Sequence, residues 1–271
     1  MPALSLIFGA VVGLSLGLTG GGGAIFAVPL LVYGLSFDPR QAVGISLASV
    51  GVTSAVGFVG RWRAGQVELL TGLMFGLAGM LGAPIGSWFS NLIPESLLLL
   101  LFAVLMFIVA TRMWHKAALA REELVFAMDE MKGATCRRDA AGELTLTSPC
   151  ALLLGILGVA TGILSGLFGV GGGFIIVPAL VLFSGMGIHR AVGTSLMAIS
   201  LISAAGVGAH LLAGRNIPFD VTLYFVVGGV LGLLAGMSTS QFLSGPALQK
   251  VFALAIVAVA IFVIVRTTLY I

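Results

Sequence analysis

Charge is what this sequence lacks. Asp, Glu, Lys and Arg together make up 8% of its 271 residues, whereas a soluble domain needs ~25% to cover its surface. Apolar residues reach 59% and the mean hydropathy is +1.18, which excludes a water-exposed globular fold and makes a lipid bilayer the main solvent. Cysteine is nearly absent. Cys136 and Cys150 have no His or carboxylate at ligand spacing, so they suggest neither a zinc site nor a disulfide framework and read as ordinary thiols. No basic region precedes the first apolar run, Met1-Pro2-Ala3-Leu4, so a retained first helix is expected rather than a cleaved signal. The net charge of +3 comes from bases lying between apolar runs, as topology signals do, and implies no nucleic-acid partner. The apolar runs hold no cluster of His, Asp, Glu or Cys, so no catalytic centre, metal or cofactor is expected.

What is present is a series of apolar runs long enough to cross a ~30 Å hydrocarbon layer, near 3–34, 41–59, 69–89, 96–114, 149–184, 191–213, 219–243 and 247–269. The expected fold is an all-α polytopic membrane protein of about eight segments. The first and fifth runs are too long for one straight crossing, and each contains a glycine cluster, so both read as broken helices. Between the fourth and fifth lies a polar insert carrying Glu122, Glu123, Asp129, Glu130, Arg137 and Arg138. The expected organisation is a first transmembrane unit over 1–114, an insert over 115–148 and a second unit over 149–271. Within the insert, 117–131 suits a surface helix and 137–147 a small hairpin, with a flexible linker as the alternative.

The two halves match at a shift of 149 positions: Gly20 falls on Gly169, Pro29 on Pro178, Ala42-Val43-Gly44 on Ala191-Val192-Gly193, and Ser46 on Ser195. Such a register implies an internal duplication. Cytoplasmic loops collect Lys and Arg. That puts the insert inside with Arg61 and Arg63, and Arg40 outside. In the second half Arg215 and Arg266 stand against Arg190 and Lys250, and the charges leave parallel and inverted repeats both open.

The glycine clusters are the most informative stretches. Each glycine in a lipid span loses about 1 kcal/mol of helix propensity against alanine and leaves backbone groups without partners, which survive only against protein or a water-filled cavity. Gly20, Gly21, Gly22 and Gly23 in the first half, and Gly171, Gly172 and Gly173 in the second, should therefore face the bundle interior. Helix can resume at Ala24 and Phe174, where free N–H groups and the helix dipole make an anion site from backbone. The alternative is close helix packing, as in Gly9-Ala10-Val11-Val12-Gly13. Ser46, Ser195 and Thr194 stand near the start of the following helix and suit an oxyanion, with helix–helix bonding as the alternative; Ser49, Thr53, Ser54, Ser200 and Ser203 continue the polar trace.

Ionisable groups sit at span ends. Arg61 and His210 occupy matched positions, and His189 and Arg190 align with Arg40 and Gln41. Arg61, His210, Arg40 and Arg190 are candidates for attracting or gating substrate, against interfacial snorkelling.

A duplicated Gly-rich, Pro-containing half-helix followed by Ala-Val-Gly-x-Ser resembles the sulfite exporter TauE/SafE family of membrane permeases. The resemblance is carried by Gly20–Pro29 with Ala42–Ser46 and by Gly169–Pro178 with Ala191–Ser195. It implies secondary transport of sulfite or a related organosulfonate or sulfur oxyanion, in a multi-pass protein of the bacterial inner membrane. A proton or sodium ion is the expected coupling partner. A small carboxylate as substrate is an alternative, and so is a membrane subunit of an ATP-driven transporter.

Overall fold

A computed structural model describes residues 2–119, 137–138, 144–145, 148–184, 186–239, 254, 257–261 and 263. In chain order the helices are α1 (Pro2–Thr19), α2 (Gly22–Gly34), α3 (Pro39–Arg63), α4 (Leu69–Leu92), α5 (Glu95–Leu119), α6 (Ser148–Phe168), α7 (Gly173–Ser184), α8 (Ile188–Leu212) and α9 (Phe219–Thr239). Six of them, α1, α3, α4, α6, α8 and α9, are long and apolar enough to cross a membrane, while α2 and part of α5 are shorter apolar helices. Helical residues at 257–261 fall in the last expected span.

Arg137 and Arg138 pair antiparallel with Thr145 and Leu144, so the hairpin expected in the insert forms. The surface helix expected at 117–131 lies outside the described residues beyond Leu119. One expectation is corrected: Cys150 is buried and disulfide-bonded. The absence of ligand spacing excludes a metal or a multi-bridge framework, and leaves a single bridge open.

α1 and α6 are held through backbone contact. Gly9, Gly13 and Gly17 of α1 sit on the carbonyls of Phe225, Gly229 and Leu233 of α9, and a Cβ at any of the three would come closer than 3.0 Å. Gly158, Gly162 and Gly166 of α6 sit in the same way on Phe75, Gly79 and Ala83 of α4. The facing helices return the contact, with Gly228, Gly232 and Gly236 on α1 and with Gly82 and Gly86 on α6. In lipid, helices gain no hydrophobic drive to associate, so this close approach supplies the attraction through van der Waals contact. The packing reading of Gly9 and Gly13 therefore holds, and the stripe extends to Gly17.

These contacts also fix direction. Along α1 and α9 both residue numbers rise together, so the pair is parallel, as is α6 with α4. α3 and α8 run opposite ways: Gly44 meets His210, Gly51 meets Ser203, and Gly57 meets Leu196. Helices matched at the 149 shift thus cross in opposite senses, an inverted arrangement that the charges alone left open. The first helix of each half packs on the fourth helix of the other, α1 on α9 and α6 on α4, and α3 and α8 cross at the centre.

The first and fifth runs turn back at their glycines. A Cβ on Gly23 would meet Ser15, and one on Gly34 would meet the Phe8 ring, so α2 descends along α1 rather than continuing beyond it. Gly172 against Thr161 marks the same reversal between α6 and α7. α2 opens with a 3-10 turn over Gly22–Phe26 and closes with a π turn over Leu30–Gly34. Pro29, which has no N–H to donate, stands between them.

Candidate functional site

The two reversals meet inside the bundle. Gly21 and Gly173 touch backbone to backbone, and a Cβ on either would lie 2.5 Å from the other's Cα. Gly171 and Gly173 rest against Val50, Ile199 and Ser203, at the middle of α3 and α8, so the breaks lie at mid-depth. Gly20, Gly21, Gly23 and Ala24 are buried with Gly171, Gly172, Gly173 and Phe174. The interior position expected for both clusters is the one observed.

Each break is gripped by the other half. Ser195 Oγ donates to the Gly20 carbonyl at 2.6 Å, and Ser46 Oγ donates to the Gly169 carbonyl at 2.5 Å. Gly20 (φ +75°) and Gly169 (φ +72°) hold left-handed backbone that favours glycine. A Cβ on Gly20 would strike Val192, and one on Gly169 would strike Val43. The Val-Gly-x-Ser stretch of each half is therefore a socket for the opposite half's first break glycine. The hydroxyl hydrogens of Ser46 and Ser195 are engaged between helices.

Other candidates are placed differently. Thr194 Oγ1 accepts the Glu68 N–H at 3.0 Å and so holds the start of α4. The Ala24 N–H donates to Gly21 O at 3.3 Å, beyond the 2.7–3.2 Å of a good bond, and the Gly22 N–H donates to Thr19 Oγ1 at 3.0 Å. Deeper on α3 and α8, the hydroxyls of Ser49, Ser54 and Ser203 are buried without a hydrogen-bond partner among the described residues. Ser54 and Ser203 are themselves matched at the 149 shift, a signal present in the sequence beside Ser46 and Ser195.

At the membrane faces, Arg61 is 6% exposed and His210 1% exposed, so neither snorkels to the surface. Arg61 Nη1 donates to Gln66 Oε1 at 3.0 Å, and both line a cavity of about 590 Å³ together with His189 and Ser238. Arg190, one residue on, is exposed and does not line it. Beside His210 on the opposite face stand Arg215 and Arg40. Burial, and then the Arg40 charge, push the Arg215 guanidinium below its ordinary value, while Glu95 pulls the other way. Arg40 itself bonds Ile93 O at 3.2 Å and lies 3.7 Å from Glu95. Among the described residues no group of His, Cys, Asp and Glu is placed to hold a metal.

The family model for the sulfite exporter TauE/SafE matches residues 5–263. The chain belongs to this family. A protein of Xylella fastidiosa strain Temecula1, named a probable membrane transporter protein, is 35% identical to this TauE/SafE chain over 263 residues, 96% of this chain and 93% of its own. The probable membrane transporter protein YdhB of Bacillus subtilis is 26% identical over 226 residues, 83% of this chain and 85% of its own. The probable membrane transporter protein MJ0441 of Methanocaldococcus jannaschii is 26% identical over 223 residues, 79% of this chain and 73% of its own. No solved structure gives a significant match.

Proposed function

We propose that this TauE/SafE membrane protein is a secondary exporter of a small anion, with sulfite or a related organosulfonate as substrate. The observation that carries the reading is the meeting of the two glycine reversals at Gly21 and Gly173, where backbone rather than ionisable side chains lines the mid-depth of the bundle. A cation pathway or proton relay would leave acids there. Instead the interior offers the start of α7 at Gly173, the weakly held Ala24 N–H, and the unpartnered hydroxyls of Ser49, Ser54 and Ser203. These are donors, and donors at helix starts suit an anion.

The inverted arrangement supports alternating access. Rocking one half against the other exposes the same central donors first to one face and then to the other. Coupling to a proton or sodium gradient drives net movement. We place the protein in the bacterial inner membrane with the insert in the cytoplasm, because Arg61, Arg63 and Arg190 stand on the same face as the insert while Arg40 and Arg215 stand opposite.

The test is flux into or out of proteoliposomes containing the purified chain, measured for sulfite, thiosulfate, sulfoacetate and a small carboxylate, with and without imposed proton and sodium gradients. Sulfite or sulfonate flux above that of empty vesicles, without ATP, is expected. Carboxylate flux alone would reassign the substrate, and a requirement for ATP would overturn secondary transport.

A further inference from the structure

Arg61 is a cation with too few partners. Its Nη1 reaches the neutral Gln66 side chain, its Nε is buried without an acceptor, and among the described residues no carboxylate pairs with it. A buried guanidinium left in this state is costly unless an anion completes it. It opens into the cavity of about 590 Å³ that His189 and Ser238 also line. The Arg fork presents two N–H groups to two oxygens of one anion. His189 offers a hydrogen bond to a third oxygen, a set that fits a sulfite or sulfonate group better than a halide, while the Ser238 hydroxyl in the cavity wall is spent on the carbonyls of Leu234 and Ala235.

The same three positions recur on the opposite face. At the 149 shift Arg61 corresponds to His210, Gln66 to Arg215 and Arg40 to His189. Antiparallel packing of α3 and α8 gathers the second set where the first set is absent, with His210 against Gly44 near the start of α3. This set too is short of hydrogen-bond partners among the described residues: both ring nitrogens of His210 and Nη1 and Nη2 of Arg215 are buried and unbonded, while Nε of Arg40 makes no hydrogen bond and has the partly exposed Glu95 carboxylate 3.7 Å away. Each face thus carries one residue from a helix end, one from the loop after it and one from the start of the opposing central helix.

We propose that these two sets are anion stations: Arg61, Gln66 and His189 bind a sulfite- or sulfonate-class oxyanion on the insert's face, and His210, Arg215 and Arg40 bind it on the other. The inference rests on the transport reading above and adds to it where the substrate waits before and after the glycine layer. The shared chemistry, an oxyanion on a guanidinium, also fits an anionic lipid headgroup, so the experiment separates the two sources.

The full chain is placed in phosphatidylcholine nanodiscs and titrated calorimetrically with sodium sulfite and with sulfoacetate. Arg61→Gln is expected to weaken binding at least tenfold while leaving the ligand-free thermal midpoint equal or higher, since it removes an uncompensated charge. Arg61→Lys, a point charge without the fork, is expected to fall between, and it carries the test should Arg61→Gln fail to fold. In proteoliposomes of known orientation, Arg61→Gln should raise the half-saturating concentration from the insert's face, and Arg215→Gln from the opposite face. Unchanged binding in both Arg61 variants, with wild-type flux intact, would overturn the stations and leave transport standing. Wild-type binding without flux of any anion would overturn transport alone. Repeating the titration with phosphatidylglycerol in the disc tests the lipid source: if Arg61→Gln abolishes only a phosphatidylglycerol-dependent stabilisation and not sulfite binding, the cavity is a headgroup site and the proposal fails.

Discussion

The hydroxyl of Ser195 lies 2.6 Å from the carbonyl oxygen of Gly20, 175 positions earlier in the chain, and Ser46 repeats the relationship with Gly169. Each serine closes a backbone group that the glycine reversal strips of its helical partner. Removing it leaves a buried carbonyl unsatisfied, at a cost of about 1–3 kcal/mol. Ser195→Ala and Ser46→Ala are each expected to lower the thermal midpoint in detergent and to slow transport. The two bonds lie in separate sockets, so the double variant should show the sum of the single losses to within about 0.5 kcal/mol. Unchanged midpoints in both single variants would show that the bonds do not hold the reversals.

The glycines divide into those that touch backbone and those that touch nothing. Gly13 and Gly162 sit on the carbonyls of Gly229 and Gly79, whereas Gly155 has no atom of the described residues within 4 Å of where a Cβ would stand. Gly13→Ala and Gly162→Ala must push α1 from α9 and α6 from α4, and each is expected to destabilise by about 1–3 kcal/mol, the usual cost of overpacking. Gly155→Ala removes a helix-weakening residue without a clash and is expected to be neutral or to stabilise by up to about 1 kcal/mol. Thermal unfolding of the three variants side by side decides the point, and a Gly13→Ala midpoint equal to that of Gly155→Ala would sink it.

The sequence made the positions of both breaks legible, because a run of glycines in lipid has few physical excuses and this one occurs twice. It also showed the duplication, which lets Ser46 be matched to Ser195. It did not show contact. A shift of 149 tells which residues are equivalent, and nothing in it says that Ser195 bonds Gly20 rather than Gly169. A serine near a helix start reads alike whether its hydrogen meets a ligand or a carbonyl, and the structure had to choose. Arg61 and His210 look like snorkelling residues because they end their spans, while the bundle closes over them. Direction failed for a countable reason: four bases, two on each side, carry no net bias.

Direction is open to chemical labelling. Ala64 and Gly187 are exposed near the ends of α3 and α8 on the insert's face, and Ser36 and Ala213 are exposed on the other. In a background of Cys136→Ser and Cys150→Ser, Ala64→Cys and Gly187→Cys should react with a membrane-impermeant maleimide from one side of sealed vesicles. Ser36→Cys and Ala213→Cys should react only from the opposite side. A parallel arrangement would instead group Ala64 with Ala213, and that labelling pattern would contradict the antiparallel crossing of α3 and α8.

Arg40 and Glu95 offer a last, asymmetric test, because their side chains are 36% and 43% exposed and stand 3.7 Å apart. An ion pair this open to solvent contributes about 0–1 kcal/mol, so Glu95→Gln should leave the thermal midpoint almost unmoved. Its electrostatic effect on the face is larger than its structural one. Removing the carboxylate strips a negative charge from beside Arg40 and Arg215 and leaves their attraction for an anion unopposed. Glu95→Gln is therefore expected to lower the half-saturating anion concentration several-fold from the face of Arg40, more at low ionic strength than at high, where a Debye length of ~10 Å at 0.1 M screens the exposed charges. From the insert's face the same variant should be silent. A salt-independent change, or an equal change from both faces, would mean that Glu95 acts through the fold and not through its charge.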